Sequence, residues 1–364
     1  MKAPYVVSET NTIPPYLVLF LVFGAQVGLE YLSFQRKLAN TVGQDSWIVV
    51  IIAGALLHVS IRFMFSLLNR HNTDIVTINK QCFGSIAGGI INTALIVYAL
   101  VVCALSVRLY AEIVRLWIFP DLGIWKIILV LLILIYYIVS GGFRVLVGFF
   151  VFAQLSVVLI ITYYFVRNYY HPSNLLPVWT HSAADMAQGV LVLAPSFMGV
   201  EALLFYYPFI KKGYAAQLWA HLGNAATVLI YLMAIIFCLM FYSLGQLMDE
   251  PWPILGLFKF VELPFMERVE FIGASVQVFR LIPLLALYVW IAIQSCKLQF
   301  NLKKKIMLPV CLATVLGISM WFQGLDEIQR IYPVIGLAGI TILFIYVPLV
   351  GMISRWLISK RQPV

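Results

Sequence analysis

Apolar runs of about 20 residues follow one another along this chain with only short polar gaps between them. A run of that length spans hydrocarbon as a helix. Ten can be placed, at residues 13–32, 46–69, 84–118, 124–141, 145–167, 185–210, 215–243, 270–297, 306–322 and 332–357. Only 11% of the residues are charged and the mean hydropathy is +0.97. A soluble domain carries about 25% charge. The expectation is an all-α polytopic membrane protein, with residues 1–364 forming one integral membrane domain.

The net charge of +9 does not point to nucleic acid. Lysine and arginine cluster in short loops, where they report topology. Lys2, Arg70, Lys80, Arg144, Lys211, Lys212, Lys303 to Lys305, Arg355, Lys360 and Arg361 fall on one side of a ten-span chain. The acids Asp45, Asp121, Asp249, Glu250, Glu262, Glu267, Glu270, Asp326 and Glu327 fall on the other. Both termini are therefore expected in the cytoplasm. The first apolar run has no small-residue cleavage site after it and reads as a retained span. The five cysteines form no CxxC pair and the five histidines show no metal-ligand spacing, so no metal or cofactor is expected. There is no Walker A motif, no nucleophile–base constellation and no soluble domain, and the chain is not expected to be an enzyme.

Two spans carry breaks. In Ala194–Pro208, APSFMGVEALLFYYP, Pro195, Ser196 and Gly199 interrupt the sixth run at its middle. Proline removes a donor and clashes with the preceding turn, and glycine loosens the backbone. Glu201 follows, and a carboxylate at membrane depth is a functional candidate. In the first run, FGAQVGLEYLSFQRKL, Gly24 and Gly28 form a small-xxx-small pair, with Gln26 and Glu30 beside them. That pair reads either as close helix packing or as a second unwound segment facing the first. Breaks five spans apart fit a five-plus-five inverted repeat, in which broken helices bind a small ligand at the midplane. Helix N-termini there favour an anionic group and freed carbonyls favour a cation or ammonium. The pattern points to an amino acid or similar zwitterion, held by Gly24, Gln26, Gly28, Glu30, Ser196, Phe197, Gly199 and Glu201.

Other features have plainer readings. His58 and Arg62 share a helix face, and Arg62 can simply snorkel. Arg108 and Glu112, four apart, read as an ion pair within one helix. SGGFR at Ser140–Arg144 is a tight turn. Pro283 suggests a break in the eighth span. The segment LGQLMDEPWPILGLFKFVELPFMERVEF reads as a short amphipathic helix lying on the outer surface, with a possible role in docking a partner.

The chain resembles the B subunit of GerA-type spore germinant receptors, the spore-germination permease family of the amino acid–polyamine–organocation superfamily. The resemblance rests on the glycine-containing first span ending near LSFQRKLA before DSWI, on SFMGVEALLFYYP, on PWPILGLFKFVELPFMERVE and on the ten-span length. It implies a LeuT/APC-like fold with helices 1 and 6 broken. It also implies a receptor subunit of the spore inner membrane that binds a nutrient and acts with an A subunit and a lipoprotein C subunit. Carried over, the ligand positions are Gly24, Gly28, Ser196, Phe197 and Gly199, and Glu201 matches the acidic position after the family's glycine. Two positions depart: Glu30 stands where a small residue is usual, and Gln35 where a proline precedes Arg36. Glu30 either favours a cationic or amide ligand or pairs with Arg62 or Arg280. A secondary transporter of amino acids or amines is the alternative function.

Overall fold

The computed structural model describes residues 7–261 and 269–361. Its helices run in order as α1 Leu17–Gln26, α2 Phe34–Val42, α3 Ser46–His71, α4 Ile75–Trp117, α5 Ile124–Ser140, α6 Phe143–Ala153, α7 Thr162–Phe165 and α8 Ala183–Val192. They continue as α9 Leu203–Tyr206, α10 Ala216–Phe241, α11 Leu244–Asp249, α12 Pro253–Phe258, α13 Val269–Phe300, α14 Lys304–Trp321, α15 Leu325–Ile340 and α16 Val347–Arg361. Among the described residues, seven helical stretches are long and apolar enough to cross a membrane: Phe34–His71, Ile75–Trp117, Phe143–Phe165, Gly213–Phe241, Phe271–Phe300, Lys304–Trp321 and Leu325–Leu357. Leu17–Gln26, Ile124–Ser140 and Ala183–Val192 are apolar but shorter. α1 and α8 are short because each ends at a backbone break.

Polar contacts sort the loops onto two faces. On one, Ile13 bridges to Ile210, and Arg144 donates to the carbonyls of Glu9 and Thr12. Lys304 donates to Val139 and Lys80 to Leu298 on the same side. This face gathers both described ends of the chain and is called the terminal face below. On the opposite face, the Asp45 carboxylate accepts the backbone N–H groups of Trp179, Thr180 and His181, which pins the loop preceding α8. There too, Arg36 and Asn40 donate to the carbonyl of Met248 at the end of α11.

Four sequence expectations change. The first broken segment does not end near residue 32 but continues through a 3₁₀ turn, Leu29–Leu32, into α2, ending at Val42. Polar residues made that end look like a loop; they form one stripe of an amphipathic helix. Pro283 lies inside the continuous helix α13, which is not broken. Part of the segment after α10 does not lie on the surface: every residue of α12 is buried, whereas α11 buries only Leu247. The apolar side chains of α12 pack inward rather than onto a membrane surface. The FMERVE part of that segment lies largely outside the described residues. Finally, Glu30 pairs with neither Arg62 nor Arg280, as shown below.

The expected turn at Ser140–Arg144 is present, with Gly142 at φ 89° immediately before α6. The expected Arg108–Glu112 ion pair is present at 2.8 Å, and Arg115 joins it at 2.8 Å. His58 lies 2.9 Å from His221 on α10, nitrogen to nitrogen.

Candidate functional site

Both predicted breaks form, and they meet. α1 stops at Gln26, and Val27 (ψ 73°) and Gly28 (φ −96°, ψ −151°) leave the helix before the 3₁₀ turn resumes. In the sixth segment, α8 gives way to a 3₁₀ turn at Ala194–Phe197. Met198 is extended and Gly199 sits at φ 110°, a region closed to most side chains. A β-carbon on Gly199 would lie 2.5 Å from the carbonyl oxygen of Ala25. Glycine is thus required twice, by the backbone angle and by the contact between the two breaks.

The freed backbone groups are held by side chains from neighbouring helices. The Tyr231 hydroxyl on α10 lies 3.0 Å from the Gln26 carbonyl and 2.7 Å from the Ser196 carbonyl, one from each break. Gln277 on α13 donates to the Gly28 carbonyl at 2.9 Å. Glu201 accepts the Gly199 N–H at 2.8 Å through one oxygen. Through the other it accepts the hydroxyls of Tyr98 (2.9 Å) and Tyr288 (2.8 Å). Three donors around one carboxylate are what a charge needs at 1% exposure. Glu201 is thus a latch on the break, tied to α4 and α13.

The remaining predicted residues divide. Gln26 accepts from Thr227 (2.8 Å) and donates to Asn224 (3.1 Å), so its amide is bound to α10. Gly24 packs against Phe150 of α6, with a would-be β-carbon 2.6 Å from that ring, and serves close packing. Ser196 is 1% exposed and its hydroxyl has no partner among the described residues. Phe197 packs edge-on against Tyr231, centroids 5.1 Å apart. Glu30 is 5% exposed and forms an ion pair with Lys37 of α2.

Two cavities converge here. A small one of about 30 Å³ lies against the first break, lined by Gln26, Gly28 and Glu30 with Val102, Met198 and Tyr288. A larger vestibule of about 460 Å³ lies between α2 and α15, lined by Ser33, Arg36, Lys37, Asn40 and Thr41 along one helix stripe. Glu30, Pro195 and Tyr332 line both. Lys37 Nζ sits 5.9 Å from the Tyr332 ring centroid, and the Tyr332 hydroxyl is 3.0 Å from Ser106. Phe197 and Glu201 instead line a third, apolar cavity of about 40 Å³ between α3, α8 and α15. Ser196, Gly199 and Gly24 line none of these three.

Sequence reading missed Tyr98, Tyr231, Gln277, Tyr288 and Tyr332. Each is a single polar tip on an otherwise continuous helix, a pattern shared with aromatic residues at membrane boundaries. The vestibule stripe was findable: Ser33, Arg36, Lys37, Asn40 and Thr41 keep helical spacing.

The family model for spore germination protein matches residues 12–350. The chain belongs to the spore germination protein family. Among curated relatives, spore germination protein GerQB of Bacillus cereus is 33% identical over 351 residues, covering 96% of this chain and 98% of the relative. Spore germination protein A2 of Bacillus subtilis strain 168 is 25% identical over 317 residues, covering 85% and 86%. Among solved structures, a Na+-coupled sialic acid symporter superposes with a TM-score of 0.65 at 13% identity, covering 92% of this chain and 79% of the symporter. Mhp1, a nucleobase-cation-symport-1 family transporter, gives 0.66 at 12% identity, covering 97% and 80%. At such identities the structural likeness shows the fold alone. This spore germination protein therefore has the LeuT/APC-like transporter fold, with its first and sixth segments broken.

Proposed function

We propose that this germination protein is the ligand-sensing membrane subunit of a germinant receptor. It binds a small nutrient, an amino acid or similar zwitterion, where the two breaks meet. The observation that carries the reading is the shared wall of Glu30, Pro195 and Tyr332, which joins a wide polar vestibule to the cavity at the first break. Lys37 offsets the charge of Glu30. A neutral zwitterion is therefore as well suited as a cation. Its ammonium would face Glu30, and its carboxylate would face Lys37.

In this reading α1, α5 and α8 with their continuations complete ten crossings. Both termini are cytoplasmic, following the basic terminal face, and the vestibule opens outward in the spore inner membrane. An A subunit and a lipoprotein C subunit relay the signal.

The small cavity limits how this works. A void needs roughly 10–15 Å³ by this measure to hold one water. At about 30 Å³ the cavity takes a few waters, not an amino acid. Ligand binding must therefore separate the breaks, and the ligand shifts the bundle only by its differential affinity for the widened state.

The test is germination of spores lacking only this chain against single amino acids, sugars and nucleosides, paired with binding of the same panel to the purified chain in nanodiscs. Selective loss of one response, with binding of that nutrient, supports the receptor reading. Gradient-driven uptake of an amino acid into proteoliposomes, with germination unchanged, replaces it with a transporter, which the symporter-like fold also accommodates.

A further inference from the structure

A separate cavity of about 180 Å³ opens on the terminal face between α3 and α16. Arg70, Arg355 and Ser66 line it with Phe63, Pro348 and Met352. Arg355 donates to the Ser66 hydroxyl at 3.3 Å. Neither arginine has an ion-pair partner among the described residues, and no carboxylate lines the cavity. The negative end of a helix accounts for a cation near its last turn. It does not account for turning two guanidiniums onto one hollow, where like charges repel.

The lip is apolar and open: Phe63 is 46% exposed and Met352 70%, with Trp356 (57%) one turn away. Gly351 also lines the hollow, and a β-carbon there would meet nothing within 4 Å. The space is thus made partly by the missing side chain. A helical surface in a bilayer touches acyl chains, and basic hollows between helices suit lipid headgroups. The π-helical turn Thr341–Tyr346 leads directly into this wall, and its Leu343 carbonyl meets the Ser60 hydroxyl at 3.4 Å.

We infer that this cavity is a binding site for the phosphate headgroup of an anionic phospholipid, which bridges α3 and α16. Arg70 and Arg355 hold the phosphate, and the acyl chains leave over Phe63, Pro348 and Met352. Arginine suits the task because its planar fork matches phosphate oxygens.

The test is native mass spectrometry of the full chain, purified in neutral detergent and offered phosphatidylglycerol, phosphatidylcholine or inorganic phosphate. Phosphatidylglycerol should bind and phosphatidylcholine should not. At about 1 kcal/mol per basic residue near a charged surface, each of Arg70→Gln and Arg355→Gln should weaken binding about fivefold, and the pair about thirtyfold. Gly351→Leu should block the site while leaving the lipid-free thermal unfolding temperature unchanged, because the new side chain enters open space. Equal binding of phosphatidylcholine overturns the charge argument. Inorganic phosphate binding as tightly as the lipid makes this a plain anion site and overturns the lipid assignment. Full lipid binding by Gly351→Leu places the lipid elsewhere.

Discussion

Tyr231→Phe isolates the contact that joins the two breaks. The ring stays: Phe34 packs on it edge-on with centroids 4.7 Å apart, and Phe197 at 5.1 Å. Only the hydroxyl is lost. It lies 3.0 Å from the Gln26 carbonyl and 2.7 Å from the Ser196 carbonyl, at a residue with no exposed surface. A hydroxyl has one proton, so the two carbonyls share one donor and the loss is one hydrogen bond, not two. Measured side-chain hydrogen bonds in a membrane bundle average about 0.6 kcal/mol and reach about 1.7. The buried carbonyls left behind place this case in the upper half of that range. The variant should therefore unfold with a free energy about 1–1.7 kcal/mol lower, a factor of about 5–20 in the equilibrium constant. Reversible unfolding of the purified chain in bicelles reads this directly. If the clip also favours the closed breaks, ligand affinity should rise as stability falls, because widening then costs less. A variant with unchanged stability refutes the clip. A variant with lower stability and lower affinity in equal measure shows that the clip belongs to the binding-competent state instead.

Further outcomes follow from the same contacts. Gly199→Ala should destabilise by about 2 kcal/mol or more, since φ 110° strains any side chain and the β-carbon meets the Ala25 carbonyl at 2.5 Å; full stability and normal germination would misplace the junction. Glu112→Gln breaks a buried carboxylate away from two arginines and should lower unfolding stability by about 3–5 kcal/mol. Glu201→Gln keeps the shape, and the Tyr98 and Tyr288 hydroxyls can rotate to accept, so it should cost less stability yet impair the germination response more at matched membrane abundance; equal response would remove Glu201 from the switching machinery. Lys37→Met leaves Glu30 buried without its partner, which should weaken binding of a neutral zwitterion relative to a cationic ligand, measured as a ratio of Kd values; an unchanged ratio would detach the pair from ligand choice.

The breaks were legible because they use residues whose backbone effects are local. Pro195 and Gly199 disturb a helix wherever it packs, and Glu201 is conspicuous in an apolar run. The same local logic found the Arg108–Glu112 pair, at helix spacing. It failed where partners come from other helices. Glu30 finds Lys37 seven residues on, across a 3₁₀ turn whose geometry no pattern in the sequence gives. Pro283 is the instructive opposite. α13 passes straight through it, because neighbouring helices can satisfy or shield the freed carbonyl. Proline alone therefore does not mark a break, whereas proline, glycine at positive φ and a carboxylate that takes the glycine N–H together do.

The two side chains that hold the freed carbonyls also bear on coupling. In a broken-helix bundle, carbonyls freed at the midplane can be satisfied by a bound cation or by the protein itself. Here Tyr231 takes the Gln26 and Ser196 carbonyls and Gln277 takes the Gly28 carbonyl. These are fixed neutral donors from helices that run unbroken past the site. They tie the two breaks to α10 and α13, the helices that in the proposed reading move apart to admit a ligand. A ligand that replaces these donors must offer hydrogen bonds of its own to the same carbonyls, and an ammonium carries three. In the proposed reading, a ligand whose ammonium meets Glu30 must therefore also bring donors to carbonyls the protein already satisfies.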